Sequence, residues 1–395
     1  MRVIYIHQYF NTPDMPGSIR SYVFAKHLIK RGHEVFVITT SRDIYQKNRK
    51  NMTNESKINV IWIRVSYSNR MKFIRRLWAF SQFALFSTYY ALRLKPDLVF
   101  ATSTPLTVAI PAVIAKKRYK CPMVFEVRDL WPEMIISMGA VKNPIIIHLM
   151  YLMETISYKN ANHLIALAPG IKKGIMNYGI STEKISFIPN GCDLNMFNTK
   201  IVQDEGKENF IIAYTGAHGM ANSLDIVLNS AIELKKTGHT NINIVLVGEG
   251  SEKKRLQNLV INNDLDNVTF IEPMSKKELA IFLNKVDVGL QILAPVKGFQ
   301  ESTSPNKFFD YCSAGLPILI TYQGWISRLV SENNMGWIVD DNNPKSLAQC
   351  MVAASKLRIN ELRVMGQNAK KLAETKFNRS LFADQFVNIL ENEIA

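Results

Sequence analysis

The sequence predicts an α/β protein made of two doubly wound domains that face a central cleft. Three observations carry that prediction. Short β-branched runs alternate with longer segments of helical period along nearly the whole chain, the pattern of parallel sheets covered by helices on both faces. The alternation pauses once, between Pro189 and Glu208, where the turn signal Pro189-Asn190-Gly191 precedes a polar, charged stretch that reads as a linker. Finally, 395 residues exceed one comfortable core and suit two domains of roughly 150–200 residues each.

In chain order, strands are expected at 3–7, 35–39, 60–65, 98–101, 123–127, 163–166 and 185–188, then at 210–214, 242–247, 268–271, 288–291, 317–320 and 336–339. Ligands of doubly wound sheets bind outside the carboxyl ends of strands, so the loops after strands hold the candidate site. Behind the first strand, Gly17 and Ser18 stand at a helix entry where backbone can approach a phosphate, and Arg20 adds charge. A Gly turn with a Ser N-cap explains the same residues structurally. Behind strand 123–127 come Arg128, Asp129, Trp131 and Glu133, charges that are costly there unless they are paired or used on a substrate. An Arg128–Asp129 structural pair, with Pro132 opening a helix, is the alternative.

In the second half, Gly216, His218 and Gly219 precede a helix in a phosphate-facing loop, and His218 reads equally well as a loop residue without a role. Gly248 and Gly250 spell half of a dinucleotide fingerprint, which a strand-ending turn also explains. Pro273 and Met274 offer backbone to a nucleobase edge, while Ser275 with Glu278 spells a capping box. Segment 302–317 is the most informative: Lys307 opens a helix, Asp310 shares its face, and Gly315-Leu316-Pro317 stops it. A helix N-terminus with a lysine suits a diphosphate, and a carboxylate one turn further in suits ribose hydroxyls. Together they describe a nucleotide-diphosphate clamp, in which Asp310→Ala is expected to cripple donor binding and leave the fold intact.

With 47% hydrophobic and 21% charged residues the chain is globular. No run reaches the ~18 apolar residues of a membrane span, and residues 1–6 enter directly as a strand rather than a secretory signal, so a cytoplasmic protein is expected. Cys121, Cys192, Cys312 and Cys350 lack metal-ligand spacing, and neither zinc nor a disulfide framework is expected. The net charge of +15 is uneven: residues 1–190 carry 27 Lys and Arg against 10 Asp and Glu, the remainder 21 against 23. An anionic partner for the first half follows, whether a membrane surface, a phosphorylated lipid or a nucleic acid. Arg70, Lys72, Arg75 and Arg76 lead into Trp78 and further aromatics, and segment 145–158 is similarly rich in Ile, Leu, Met and Tyr. Such segments suit an anionic membrane interface, and a core helix with a basic entry is the plain alternative.

Through loop 7–20, segment 125–133, Ile188-Pro189-Asn190-Gly191-Cys192-Asp193 and segment 304–317, the chain resembles bacterial retaining glycosyltransferases of family 4, which have the GT-B fold of two Rossmann-like domains. Within them it is most similar to the O-antigen and capsule branch typified by N-acetyl-L-fucosamine transferases. The resemblance implies an acceptor-binding, membrane-facing domain at 1–195, a donor-binding domain at 196–378, and a helix at 379–395 that crosses back to the first domain. Donor contacts are implied for Lys307 (diphosphate), Asp310 (ribose), Gly17, Gly216, Gly248, Pro273, Met274, Glu301, Ser304 and Asn306. Acceptor contacts are implied for Arg20, Arg128 and Asp129, with Asp129 orienting the attacking hydroxyl and Lys307 stabilising the leaving group.

The implied donor is a UDP-linked N-acetylated deoxyhexosamine, and no metal or other cofactor is expected. The implied acceptor is a sugar on a polyprenyl diphosphate at the inner face of the cell membrane, and no nucleic-acid partner is expected. The chain departs from the family in three places: Ser302 stands where the first glutamate of an E-x7-E pair falls, with Glu301 one residue out of register; Ala217 and Asn222 replace two cations; and Arg128-Asp129 replaces His-Asp. Rival readings are a UDP-N-acetylglucosamine 2-epimerase-like enzyme and, on charge alone, a nucleic-acid-binding protein.

Overall fold

The computed structural model describes residues 1–41, 51–67, 71, 73–139, 141–197, 209–296, 298–339 and 342–394. Most of the expected linker, 198–208, lies outside them, as do Arg70 and Lys72. The first domain runs β1 (Arg2–Ile6), α1 (Arg20–Lys30), β2 (Glu34–Thr40), β3 (Met52–Glu55), β4 (Ile58–Ile63), α2 (Phe73–Leu94), β5 (Leu98–Thr102), α3 (Ala109–Tyr119), β6 (Met123–Val127), α4 (Glu133–Ser137), α5 (Pro144–Asn160), β7 (His163–Ala166), α6 (Pro169–Met176) and β8 (Ile185–Phe187). The second runs β9 (Phe210–Thr215), α7 (Leu224–Lys236), β10 (Ile242–Val247), α8 (Lys253–Asn262), β11 (Val268–Ile271), α9 (Lys276–Leu283), β12 (Val288–Gln291), α10 (Phe299–Ser302), α11 (Asn306–Ala314), β13 (Ile318–Ile320), α12 (Trp325–Glu332), β14 (Gly336–Ile338), α13 (Pro344–Ser355) and α14 (Ile359–Lys376). The helix α15 (Arg379–Asn392) follows.

The first sheet has the order β3-β4-β2-β1-β5-β6-β7-β8 and the second β11-β10-β9-β12-β13-β14. Among the described residues every strand pair is parallel except β3 with β4. The apolar runs of β5, β6 and β12 are buried throughout, as expected of strands covered on both faces. The sequence reading missed β3, because Met52-Thr53-Asn54-Glu55 has neither an apolar run nor an alternation and is held only as an edge partner. Strand order reverses at β1, flanked by β2 and β5, and at β9, flanked by β10 and β12. Those two reversals open facing crevices.

The helix α15 packs on α1 of the first domain. Its Phe386 stacks on Phe24 with ring centroids 4.7 Å apart and meets Phe100 edge-on at 4.8 Å and Tyr5 at 6.3 Å. Burying one such side chain stabilises by roughly 1.5–3 kcal/mol. Polar contacts flank this apolar seam: His27 with Asp384 at 2.9 Å and Arg31 with Glu391 at 2.6 Å.

Candidate active site

The carboxyl ends of both sheets open on an interdomain cleft of about 620 Å³. On the second-domain side Pro305 gives an extended entry, Asn306 opens α11, and Gly315 closes it in the left-handed conformation at φ 67°. Lys307, in the first turn, reaches across to β9. Its Nζ donates to Tyr214 Oη at 3.1 Å and Asn222 Oδ1 at 3.3 Å and lies 4.2 Å from the Tyr214 ring centroid. Burial pulls this ammonium down to about 7. Among the described residues no carboxylate is in hydrogen-bonding contact with it, and it stands to gain from an arriving anion.

Gly216 directly follows β9 at φ 154°, where a Cβ would stand 2.9 Å from Lys307 Cε. Only glycine lets the lysine lie against the backbone there. Gly248, at φ 146°, is required by its neighbour: a Cβ would meet the Gly216 carbonyl oxygen at 1.9 Å. Both glycines line the cleft, as do Gly17, Pro273 and Met274. The capping box at Ser275 and Glu278 is present as well, beside the cleft-lining Pro273 and Met274. His218 is buried between Tyr214 and Phe270, with neither ring nitrogen hydrogen-bonded, and burial lowers it to about 4.

Ser304 and Asn306 line the cleft but are tied across the domain seam. Asn190 N–H donates to Ser304 Oγ at 3.0 Å, and Ser18 Oγ donates to Asn306 Oδ1 at 3.1 Å. On the facing wall, Arg128 and Asp129 leave the carboxyl end of β6. Arg128 Nη1 lies 3.2 Å from His7 Nε2. Asp129 Oδ2 accepts from Thr104 Oγ1 at 2.8 Å, and burial raises its carboxyl above the ordinary aspartate range.

Three expected contacts are corrected. Arg20 does not reach the cleft: it is fully buried, bound to Glu126 at 2.8 and 3.0 Å and to the carbonyls of Ile188 and Pro189. It clamps α1 and β6 to the chain leaving β8. Glu301 turns away to a bidentate, half-exposed pair with Arg328 at 2.7 and 2.9 Å. Asp310 does line the cleft, but its Oδ1 is held by Lys276 Nζ at 2.5 Å with both side chains buried, so a ribose must share it. Asp193 and Arg379 form a second buried pair beside this one.

The expectation that Asp310→Ala spares the fold therefore changes. Removing one partner of a buried pair costs roughly 3–5 kcal/mol, so Asp310→Ala and Lys276→Met should each lower the urea midpoint clearly, and Lys276→Met with Asp310→Leu should recover most of the loss. Unchanged midpoints in both single variants would refute the structural role.

Lys276 was not singled out from the sequence, although a signal existed. Lys276 and Lys277 both sit in the first turn of α9, against the helix dipole, which points to partners elsewhere; Lys277 indeed meets Asp14 at 2.7 Å. Glu154 was missed too: it is buried in α5, accepts from Tyr158 Oη at 2.5 Å, from Tyr178 Oη and from the backbone N–H of Trp131, and burial pushes it up to about 7. It thereby fixes the loop that carries Asp129. Among the described residues no three His, Cys, Asp or Glu side chains converge as a metal cage. A D-x-D spelling does occur at Asp264-Leu265-Asp266, but it precedes β11, at the end of the sheet opposite the cleft.

Family comparison agrees with this architecture. The model "Glycosyltransferase Family 4" matches residues 19–196 and "Glycosyl transferases group 1" matches residues 197–372. Among curated proteins, the "Putative colanic acid biosynthesis glycosyltransferase WcaL" of Escherichia coli K12 is 24% identical over 55% of this chain and 53% of its own length. The D-inositol 3-phosphate glycosyltransferase of Paenarthrobacter aurescens is 24% identical over 45% and 44%. The chain thus spans about half the length of these relatives. Among solved structures, sucrose-phosphate synthase of Thermosynechococcus elongatus superposes with a TM-score of 0.78 at 16% identity, covering 99% of this chain and 98% of that one. HepE of Anabaena, solved with UDP-glucose, gives 0.70 at 14%, covering 99% and 100%. Two consecutive family models on two facing doubly wound domains place the chain among the glycosyltransferases of the GT-B fold, with a family 4 first domain and a group 1 second domain.

Proposed function

We propose that the protein moves a sugar from a UDP-linked donor, an N-acetylated deoxyhexosamine, to a sugar carried on undecaprenyl diphosphate, with retention of configuration, in O-antigen or capsule assembly. The observation that carries this reading is the cleft in which Lys307 and the Gly216 turn face Asp129 across the domain boundary. Glycosyl transfer passes through an oxocarbenium-like state, so negative charge collects on the departing diphosphate. Lys307 and the N–H groups of α11 stabilise that charge without a metal, and Asp129 orients the acceptor hydroxyl. The UDP-glucose complex of HepE and the colanic acid role in the name of WcaL support the donor class and the polysaccharide setting.

The first domain has an exposed apolar face suited to the membrane holding such an acceptor. On α2, Ile74, Leu77, Trp78 and Leu85 are exposed, with Arg75 and Arg76 among them; on α5, Ile145, Leu149, Leu152 and Ile156 are exposed. The helix α3 lies between them and adds Ile110 and Ile114. No helix among the described residues is long and apolar enough to cross a membrane, and the proposed association is peripheral, at the cytoplasmic face. The test is incubation with UDP-N-acetyl-L-fucosamine and its epimers, with and without undecaprenyl-diphosphate sugars, followed by mass spectrometry of the lipid. One deoxyhexosamine added to the lipid supports the reading, whereas conversion of the nucleotide sugar in the absence of lipid would favour an epimerase.

A further inference from the structure

A second, narrow chamber of about 50 Å³ adjoins the main cleft and shares Asp129 and Thr303 with it. One wall comes from the first domain, with Glu133 and Met134 of α4, and the other from the second, with Phe299 of α10. Lys307, Gly216 and Gly248 are not part of its lining. Its size admits a substituent of a few heavy atoms and not a pyranose ring, since one water needs about 10–15 Å³ of such space.

Its chemistry narrows the occupant further. Leu130, Met134 and Phe299 offer a methyl-sized apolar surface. Thr303 Oγ1 is buried with no hydrogen-bond partner, and such a hydroxyl gains most from a carbonyl oxygen brought to it. Glu133, an exposed residue of the lining, is an acceptor for an N–H at the edge of this space. Two carboxylates, Asp129 and Glu133, border the space and repel a phosphate.

A methyl, a carbonyl oxygen and an N–H in one small uncharged group make an acetamido group. We propose that this chamber is the subsite for the N-acetyl substituent of the acceptor sugar, which sets a neighbouring ring hydroxyl against Asp129. The proposal rests on the transferase reading above, and it makes the acceptor an N-acetylated sugar whose diphosphate lies elsewhere. Met134 and Thr303 become specificity-determining residues.

Saturation-transfer NMR on the whole protein tests this with two probes, the methyl glycosides of N-acetylglucosamine and of glucose, each in the presence of UDP. The expected result is strong saturation of the acetyl methyl and weak signals from the glucoside. Met134→Trp, which fills the chamber, should weaken binding of the acetylated probe about tenfold while the UDP signals persist. Thr303→Val should do the same with less change of shape, and it decides the matter if Met134→Trp loses the UDP signals. An acetyl signal undiminished in the variants, or no preference for the acetylated probe while UDP binds, overturns the subsite. Absence of UDP signals from the unaltered protein overturns the donor clamp first, and the subsite with it.

Discussion

Lys307→Met should lower UDP affinity roughly ten- to a hundredfold, the worth of a charge-assisted hydrogen bond of about 1.5–3 kcal/mol. Turnover should fall by about a further hundredfold, because the lysine meets more charge on the leaving diphosphate than on the bound donor. The free enzyme adds a signature. Burial holds Lys307 near 7, and a bound diphosphate raises it, so binding above pH 7 takes up a proton. UDP affinity of the unaltered protein therefore falls as pH rises from about 7, by up to about tenfold per unit, and levels off below 7, where the lysine is already charged. Calorimetry in buffers of different ionisation enthalpy reads the proton directly. Uptake that persists in Lys307→Met would assign the titration to another group.

Asp129→Asn should cut turnover by roughly 10²–10⁴, the usual worth of a positioned acid–base group, while leaving UDP affinity unchanged. The two variants thus separate the walls of the cleft. Thr104 holds one oxygen of Asp129 and leaves the other for substrate, and burial lifts its carboxyl towards the working pH. Turnover within a few-fold of the unaltered protein would remove Asp129 from the chemistry.

The alternation of strands and helices was legible because each buried strand announces itself within five or six residues. Lys307 was legible for the same reason: helix entry, lysine, carboxylate and glycine stop lie within one short segment. What escaped is non-local. Arg20 looks like a substrate ligand until Glu126, 106 residues away, is brought against it. Asp310 looks free until Lys276 arrives from α9. Glu154 is an unremarked letter in an apolar helix until Tyr178 and the Trp131 loop fold over it. Each is a charge whose partner is named only by tertiary structure, and burial makes such partners compulsory.

The packing of Phe386 against Tyr5, Phe24 and Phe100 bears on how the chain is made. During synthesis the first domain emerges with that aromatic socket vacant, and the residue that fills it is translated only after the entire second domain. The first sheet must then wait, partly open, on the ribosome. Contacts of such long sequence separation also form slowly, so docking of α15 is the expected last step of folding, after both sheets have closed.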